Sequence, residues 1–441
     1  MNKRGWKYAA ALSVLTIAGA CGWGSDKSQG GVTVNASDAE MQKLLSEPVV
    51  IDVYIHTGGY TLERFMQYYG DAIQKKYPNF SFNMHTPEKG SSLQDKLAQG
   101  TNIDLIQVHR ANTYELMYDT KLMTDISDLI KKYKYDLNKI EPVVLEEMRQ
   151  LGNGKILGLP YESRTVALFY NKGIFDKFGV AYPKNNMTWD DALELAKKLS
   201  RIDGGVNYQG LIAYPRHVFL MNQMSQGYVD PASNKTTLNN DNWKKVFETL
   251  AAFHRIDNNP YIVPSKISNT FWVEGRAAMY ASMFVPDANY IMNAEIDWDV
   301  AEYPEMRERR GVGSGMLNYY FNLTSVSKNR DQAFLAAAFL ASEEYQKEQV
   351  LKGYISSLKG GSYQDSLGKG VPQFANRNLK VMKASSPAAA YPVNQYQGIA
   401  DKNLDSAFDA IFAENKDINT VLREAEEKAN KQIQEAIAAG N

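Results

Sequence analysis

The sequence predicts an α/β protein of two domains with parallel sheet at its core. Three observations carry this. The body of the chain opens on strand, helix, strand, helix, strand, the order in which parallel sheets are built. A length of 441 residues exceeds what one hydrophobic core organises well, so two domains are expected. Hydrophobic residues make up 44% of the chain and aromatic residues 11%, enough for two cores and too much for a disordered chain.

Each element has a local reason. Pro48-Val-Val-Ile-Asp-Val-Tyr-Ile55 is a β-branched run closed by Gly58 and Gly59, the pattern of a buried strand. Over residues 61–77, Leu62, Phe65, Met66, Tyr69, Ile73 and Tyr77 fall on one helical face. Residues 80–84 predict a second strand, 93–99 a short helix and 103–108 a third strand. Ligands of such sheets bind at strand carboxyl ends, which favours Gly58, Gly59 and Tyr60 after the first strand and residues 109–112 after the third. Asn153-Gly-Lys-Ile-Leu-Gly-Leu-Pro160 reads as a turn and short strand, followed by another strand over 161–170. Thr188 is placed to cap a helix over 189–199, with Asp190 and Asp191 complementing its dipole. Helices over 243–256, 332–342 and 417–438 and strands over 276–283 and 319–326 complete the body.

The N-terminus reads as an export signal. Lys3, Arg4 and Lys7 precede an apolar run over residues 8–20, shorter than the roughly 20 residues that span a bilayer as a helix. The run ends Ile17-Ala-Gly-Ala-Cys21, similar to the lipobox of bacterial lipoproteins, although Ala18 stands where that motif usually has Leu. Cys21 is the single cysteine, which excludes intramolecular disulfides and Cys-rich zinc sites. An exported protein gains nothing from a lone thiol, so Cys21 is expected to carry lipid, palmitate included. The Gly/Ser-rich residues 22–31 then form a flexible tether. With 49 Lys+Arg against 50 Asp+Glu, the chain has no electrostatic basis for binding nucleic acid.

Catalytic signatures are missing. His56, His85, His109, His217 and His254 show no metal-ligand spacing, and neither a G-x-S-x-G elbow, a Walker loop nor a dinucleotide fingerprint occurs. Two carboxylates that meet only in space leave no spacing in sequence, so a glycan-degrading enzyme stays open as an alternative. The 27 Tyr and 6 Trp exceed what a core absorbs easily, because each brings a polar group that needs a partner. Aromatic faces flanked by Asn, Gln, Arg and Asp make a physically sensible carbohydrate site.

Several segments, taken in order, resemble the family 1 extracellular solute-binding proteins of bacterial ABC importers, the maltose-binding-protein-like group. They are Gly154-Lys-Ile-Leu-Gly-Leu-Pro160, Leu168-Phe-Tyr-Asn-Lys172, Phe175-Asp-Lys-Phe-Gly-Val180, Thr188-Trp-Asp-Asp191, Phe271-Trp-Val-Glu-Gly-Arg-Ala-Ala-Met279 and Phe321-Asn-Leu-Thr-Ser-Val-Ser-Lys-Asn329. The resemblance implies a two-lobed periplasmic-binding-protein-like fold with a hinge and an interlobe ligand cleft. Residues 1–20 would be the signal peptide and 21–46 the lipidated Cys and tether. Residues 47–163 plus 322–375 would form the N-terminal lobe, and 164–321 plus 376–441 the C-terminal lobe. The implied function is a monomeric lipoprotein on the outer face of the cell membrane. It captures a carbohydrate, in particular an oligosaccharide, by hinge closure and delivers it to the permease subunits, with no cofactor, metal or catalytic step. A binding protein for another solute, or a ligand-sensing subunit for a histidine kinase, shares these features.

Carried over residue by residue, the resemblance assigns ligand contacts to Gly59, Tyr60, His109, Asn112, Tyr161, Glu162 and Arg164, then to Trp272, Met283, Phe284, Tyr319, Tyr320, Tyr391 and Tyr396. Arg164 also reads as an ion-paired hinge residue, His109 as a cap for the following helix, and Phe284 as core. Tyr319 and Tyr320 alternate across a strand, so at most one faces the cleft. Where better-known sugar binders use Trp or Asp, this chain offers Tyr, Arg and His; a cleft with Arg164, Arg110 and Arg216 would suit an acidic sugar.

Overall fold

The computed structural model describes residues 38–57, 59–88, 91–383 and 385–439. The expected signal segment, Cys21, the Gly/Ser-rich residues 22–31 and Gly58 lie outside them. Among the described residues no helix is long and apolar enough to cross a membrane.

The strands are β1 (Val49–Ile55), β2 (Phe80–His85), β3 (Leu105–His109), β4 (Gly158–Asn171), β5 (Arg201–Asp203), β6 (Val206–Ala213), β7 (Val229–Asp230), β8 (Lys235–Thr236), β9 (Ala277–Met283), β10 (Trp298–Ala301) and β11 (Met316–Leu323). β7 and β8 pair with each other. The rest form one sheet in the order β2-β1-β3-β11-β4-β9-β6-β5, with β10 also on β4. β1 pairs in parallel with β2 and β3, and β6 with β9, as strand–helix alternation requires. The sheet as a whole is mixed rather than parallel, because β11 and β4 run antiparallel through its centre.

β4 is one strand where the sequence suggested a turn, a short strand and another strand. Its residues 158–165 pair with β11, while residues 166–170 pair with β9. The exchange of partners falls two residues past the lobe boundary expected at 163/164. Pro160 is tolerated inside this central strand because the register shifts opposite it, between Tyr319 and Tyr320. Its carbonyl is used: Gln346 Nε2 (3.3 Å) and Ser357 Oγ (3.2 Å) donate to Pro160 O.

The helix after β1 runs through Leu62–Phe65, a wider turn at Met66–Gly70, and Asp71–Lys76, capped by Thr61. Thr188 and Asp191 form a reciprocal capping box on Trp189–Leu199, as expected. That helix lies so close to β6 that a Cβ on Gly210 would stand 2.1 Å from Ala196 O. Residues 38–46, expected within the tether, are instead the helix Asp38–Ser46. Its Met41, Leu44 and Leu45 pack on the core, and Asn79 Nδ2 donates to Glu47 O at 2.7 Å. Gly and Ser are concentrated in residues 22–31, so the loose composition ends before the expected boundary.

A buried ion pair ties β3 to the helix Pro142–Leu151. Arg110 Nη2 stands 2.7 Å from Glu147 Oε2, with the side chains 4% and 2% exposed. Tyr320 Oη (2.7 Å) and Asn318 Nδ2 (3.1 Å) donate to the other Glu147 oxygen. Glu147→Ala leaves Arg110 buried without its counter-charge, which should cost about 3–5 kcal/mol. Urea unfolding followed by tryptophan fluorescence reads this, and a loss below about 1 kcal/mol would contradict it.

Candidate functional site

Where β4 and β11 run side by side, the carboxyl ends of β1 and β3 and the loop after β9 enclose a cavity of about 190 Å³. Half of its lining residues are tyrosines: Tyr60, Tyr68, Tyr69, Tyr161, Tyr319, Tyr345 and Tyr354. Burial raises the phenol pKa of Tyr60 to about 12 and those of Tyr69, Tyr161 and Tyr345 well above the usual value, so all remain protonated donors. Gln107 Nε2 donates to Tyr161 Oη at 2.6 Å, which fixes that ring. A larger cavity, about 230 Å³, lies against residues 165–167 and 313–316 and contains none of the expected site residues.

The charges in the tyrosine cavity are matched. Arg164 Nε donates to Glu162 Oε1 at 2.5 Å, and its guanidinium lies over the Tyr319 ring at 4.6 Å. Burial raises the Glu162 pKa, although Arg164 opposes this. Burial acts against the Arg164 charge too, but the Glu162 carboxylate outweighs it and keeps the guanidinium ionised. Across the cavity Arg64 Nη2 is 3.5 Å from Asp287 Oδ2, and Tyr68 Oη donates to the same oxygen at 2.7 Å.

The expected residues divide into three groups. Tyr60, Tyr161, Glu162, Arg164 and Tyr319 line the cavity together. Gly59, His109 and Asn112 stand beside it and shape the backbone. Gly59 holds a left-handed φ of +72° in the turn that presents Tyr60. His109 Nδ1 accepts the Ala111 N–H (3.2 Å), Asn112 Oδ1 accepts the His109 N–H (2.8 Å), and the His109 ring meets Tyr319 edge-on at 5.4 Å.

The third group lies elsewhere and corrects the expectation. Tyr320 faces away from the cavity toward Glu147, as strand alternation allows for one of the two tyrosines. Trp272 and Phe284 belong to an aromatic core around Phe169, with ring centroids 5.1 and 6.1 Å from it. Both are buried because the helix Pro264–Trp272 and the end of β9 pack onto the sheet face. Tyr391 is buried, donating its hydroxyl to Leu220 O (3.0 Å) beneath the Arg110 guanidinium. Tyr396 is buried at the start of Gln397–Ala413. Met283 gives its N–H to His217 Nδ1 at 3.2 Å. The positive cleft is also overturned: Arg110 is neutralised by Glu147, and Arg216 by Asp401 (2.8 Å) and Asp405 (2.7 Å).

Reading the sequence missed Thr57, Arg64, Tyr68, Tyr69, Gln107, Asp287, Tyr345, Gln349 and Tyr354. Arg64 and Tyr68 stand one helical turn apart, as do Tyr345 and Gln349, and those spacings were the available signal.

Residues 58–347, well over half of the chain, match the family of bacterial extracellular solute-binding proteins. The chain belongs to that family. Among curated relatives of this solute-binding protein, the sn-glycerol-3-phosphate-binding periplasmic protein of Agrobacterium fabrum is 31% identical over 96 residues, 22% of each chain. The arabinooligosaccharide-binding protein of Bacillus subtilis is 26% identical over 197 residues, 42% of this chain and 43% of its own. Each match therefore spans less than half of the relative. The structure of an ABC substrate-binding protein from Listeria monocytogenes, in complex with cycloalternan, aligns with a TM-score of 0.68 at 19% identity over 88% of this chain and 100% of its own. That likeness shows the two-lobed periplasmic-binding-protein-like fold.

Two histidines near the cavity make a direct test of burial in this solute-binding protein. His109 and His217 each accept a backbone N–H at Nδ1, and burial lowers both pKa values to about 4, with nearby Arg164 and Arg216 adding to the shift. Their folded values lie below the unfolded value of about 6.5, so their contribution to stability is complete above that pH and is lost as pH falls toward 4. NMR titration of the imidazole resonances should give midpoints near 4; midpoints at 6 or above would contradict the burial.

Proposed function

We propose that this chain captures a neutral oligosaccharide and delivers it to the permease of an ABC importer. One observation carries the reading: the cavity between the halves of the sheet has tyrosine walls, fixed hydrogen-bonding groups and internally matched charges. Aromatic faces suit the apolar faces of sugar rings, and phenols, amides and carboxylates suit their hydroxyls. A phosphate dianion asks for cations that are free to meet it. Arg64 and Arg164 are already committed to Asp287 and Glu162, which favours a sugar over a glycerol phosphate.

Capture proceeds by hinge closure. The lobes, residues 47–163 with 322–375 and 164–321 with 376–441, rotate about β4, β11 and a return segment. A ligand touching both stabilises the closed form that the permease recognises. The protein acts as a monomer, exported by residues 1–20 and held at the outer face of the membrane by lipid on Cys21. The bound sugar leaves unchanged, since no step of capture breaks a bond.

The test is thermal unfolding of the protein against neutral oligosaccharides, uronic-acid oligosaccharides and sn-glycerol 3-phosphate. A true ligand at about 100 times its Kd adds about 2.7 kcal/mol of stability. A shift with a neutral oligosaccharide, recovered intact by chromatography, is the expected result. A shift confined to the anionic compounds would overturn the charge argument, and consumption of the sugar would make the protein an enzyme. Tyr319→Ala should weaken binding of the stabilising sugar about tenfold, or about 1.4 kcal/mol by isothermal titration, and unchanged affinity would remove Tyr319 from the contact set.

A further inference from the structure

We propose that Asp287 latches the two halves of the protein together before any ligand arrives, and so sets how much of the population is closed. The consequence for capture rests on the function proposed above; the latch itself does not. Arg64 and Tyr68 lie on the helix behind β1, whereas Asp287 lies on the loop after β9, the far side of the sheet order. Their contact therefore joins the two halves at the cavity, beside the crossing strands.

The geometry is that of a charge-assisted clasp. Tyr68 Oη donates to Asp287 Oδ2 at 2.7 Å, and Arg64 Nη2 approaches the same oxygen at 3.5 Å. The Arg64 guanidinium also lies over the Tyr60 and Tyr68 rings, at 5.1 and 5.6 Å, which holds it in place. The Asp287 side chain is 22% exposed and that of Arg64 53%, so solvent weakens the Arg64 arm and the shorter Tyr68 hydrogen bond carries more of the clasp. The neighbouring Pro286 fits against Gly353, where an added Cβ would come within 3.0 Å of Pro286 Cβ. That close approach docks the loop on the segment that carries Tyr345 and Tyr354.

Only one of the two Asp287 oxygens is used. Oδ1 is buried without a partner among the described residues, and so is Tyr354 Oη on the same cavity. A carboxylate with one oxygen bound by Tyr68 and Arg64 and the other buried without a partner holds the halves together while keeping acceptor capacity in reserve beside the cavity. Apparent affinity scales with the fraction of protein already competent to bind. A latch that raises the closed fraction therefore tightens capture without adding a ligand contact.

The experiment needs no ligand. Spin labels at Gln94→Cys and Lys198→Cys, both exposed and on opposite halves, are placed in the full chain carrying Cys21→Ala, and their separation is measured by pulsed dipolar spectroscopy. The parent should populate the shorter separation, and Asp287→Ala should lower the ratio of short to long by about tenfold. Tyr68→Phe, which removes one hydroxyl and little else, should lower it several-fold and serves if Asp287→Ala fails to fold. A parent already at the longer separation, or a distribution that neither substitution moves, would overturn the latch. Failure of every sugar to stabilise the protein would refute the ligand class and leave this measurement standing.

Discussion

A strand that serves two sheet halves must satisfy the hydrogen bonds of both, and β4 does so by exchanging partners along its length. Residues 158–165 are held by β11 and residues 166–170 by β9, so the backbone of one segment belongs first to one half and then to the other. Everything at the cavity follows from this. Tyr161, Glu162 and Arg164 precede the exchange, and Tyr319 lies across from Glu162 on β11. Tyr319 and Tyr320 alternate across β11, sending one phenol to the cavity and the other to Glu147, while the register shift between them leaves Tyr161 as the extra residue on β4.

Charge is handled in the same economical way. Each arginine near the cavity or at the crossing meets a carboxylate: Arg64 with Asp287, Arg110 with Glu147, Arg164 with Glu162, and Arg216 with Asp401 and Asp405. Buried charges must be paired because desolvation alone costs several kcal/mol per ion. The pairing leaves side chains rigid and polar without leaving a net field, which suits recognition through hydroxyl geometry. Burial, with the Asp401 carboxylate adding to it, raises the pKa of Asp405 to about 7.

The elements were legible in the sequence because their causes are local. The β-branched run of β1, the capping box of Thr188 and Asp191, and the stripe on the last helix each lie within a few neighbouring residues. The crossing strands carried enough pattern to bring Tyr161, Glu162, Arg164 and Tyr319 into one group, and the structure finds them lining one cavity. What failed was pairing at a distance. The partner of Arg216 lies 185 residues away, and nothing in a run of sequence distinguishes a paired arginine from a free one. Trp272 and Phe284 went wrong for a related reason: an aromatic at the end of a helix or strand faces either core or cleft, and only packing decides.

The helix Asp38–Ser46 is fastened to the body where the chain enters the sheet. Asn79 Nδ2 holds Glu47 O at 2.7 Å, and the Val49 N–H meets Asn79 O at 3.1 Å. Any pull arriving along the chain from its N-terminal side is therefore delivered to the β1–β2 edge, far from β5 and β6 at the other end of the sheet. The half containing β6 and β9 meets the half containing β1 through the crossing strands and through the contacts of Asp287 with Arg64 and Tyr68, so a pull on the leading segment enters at the opposite end of β1 from the cavity.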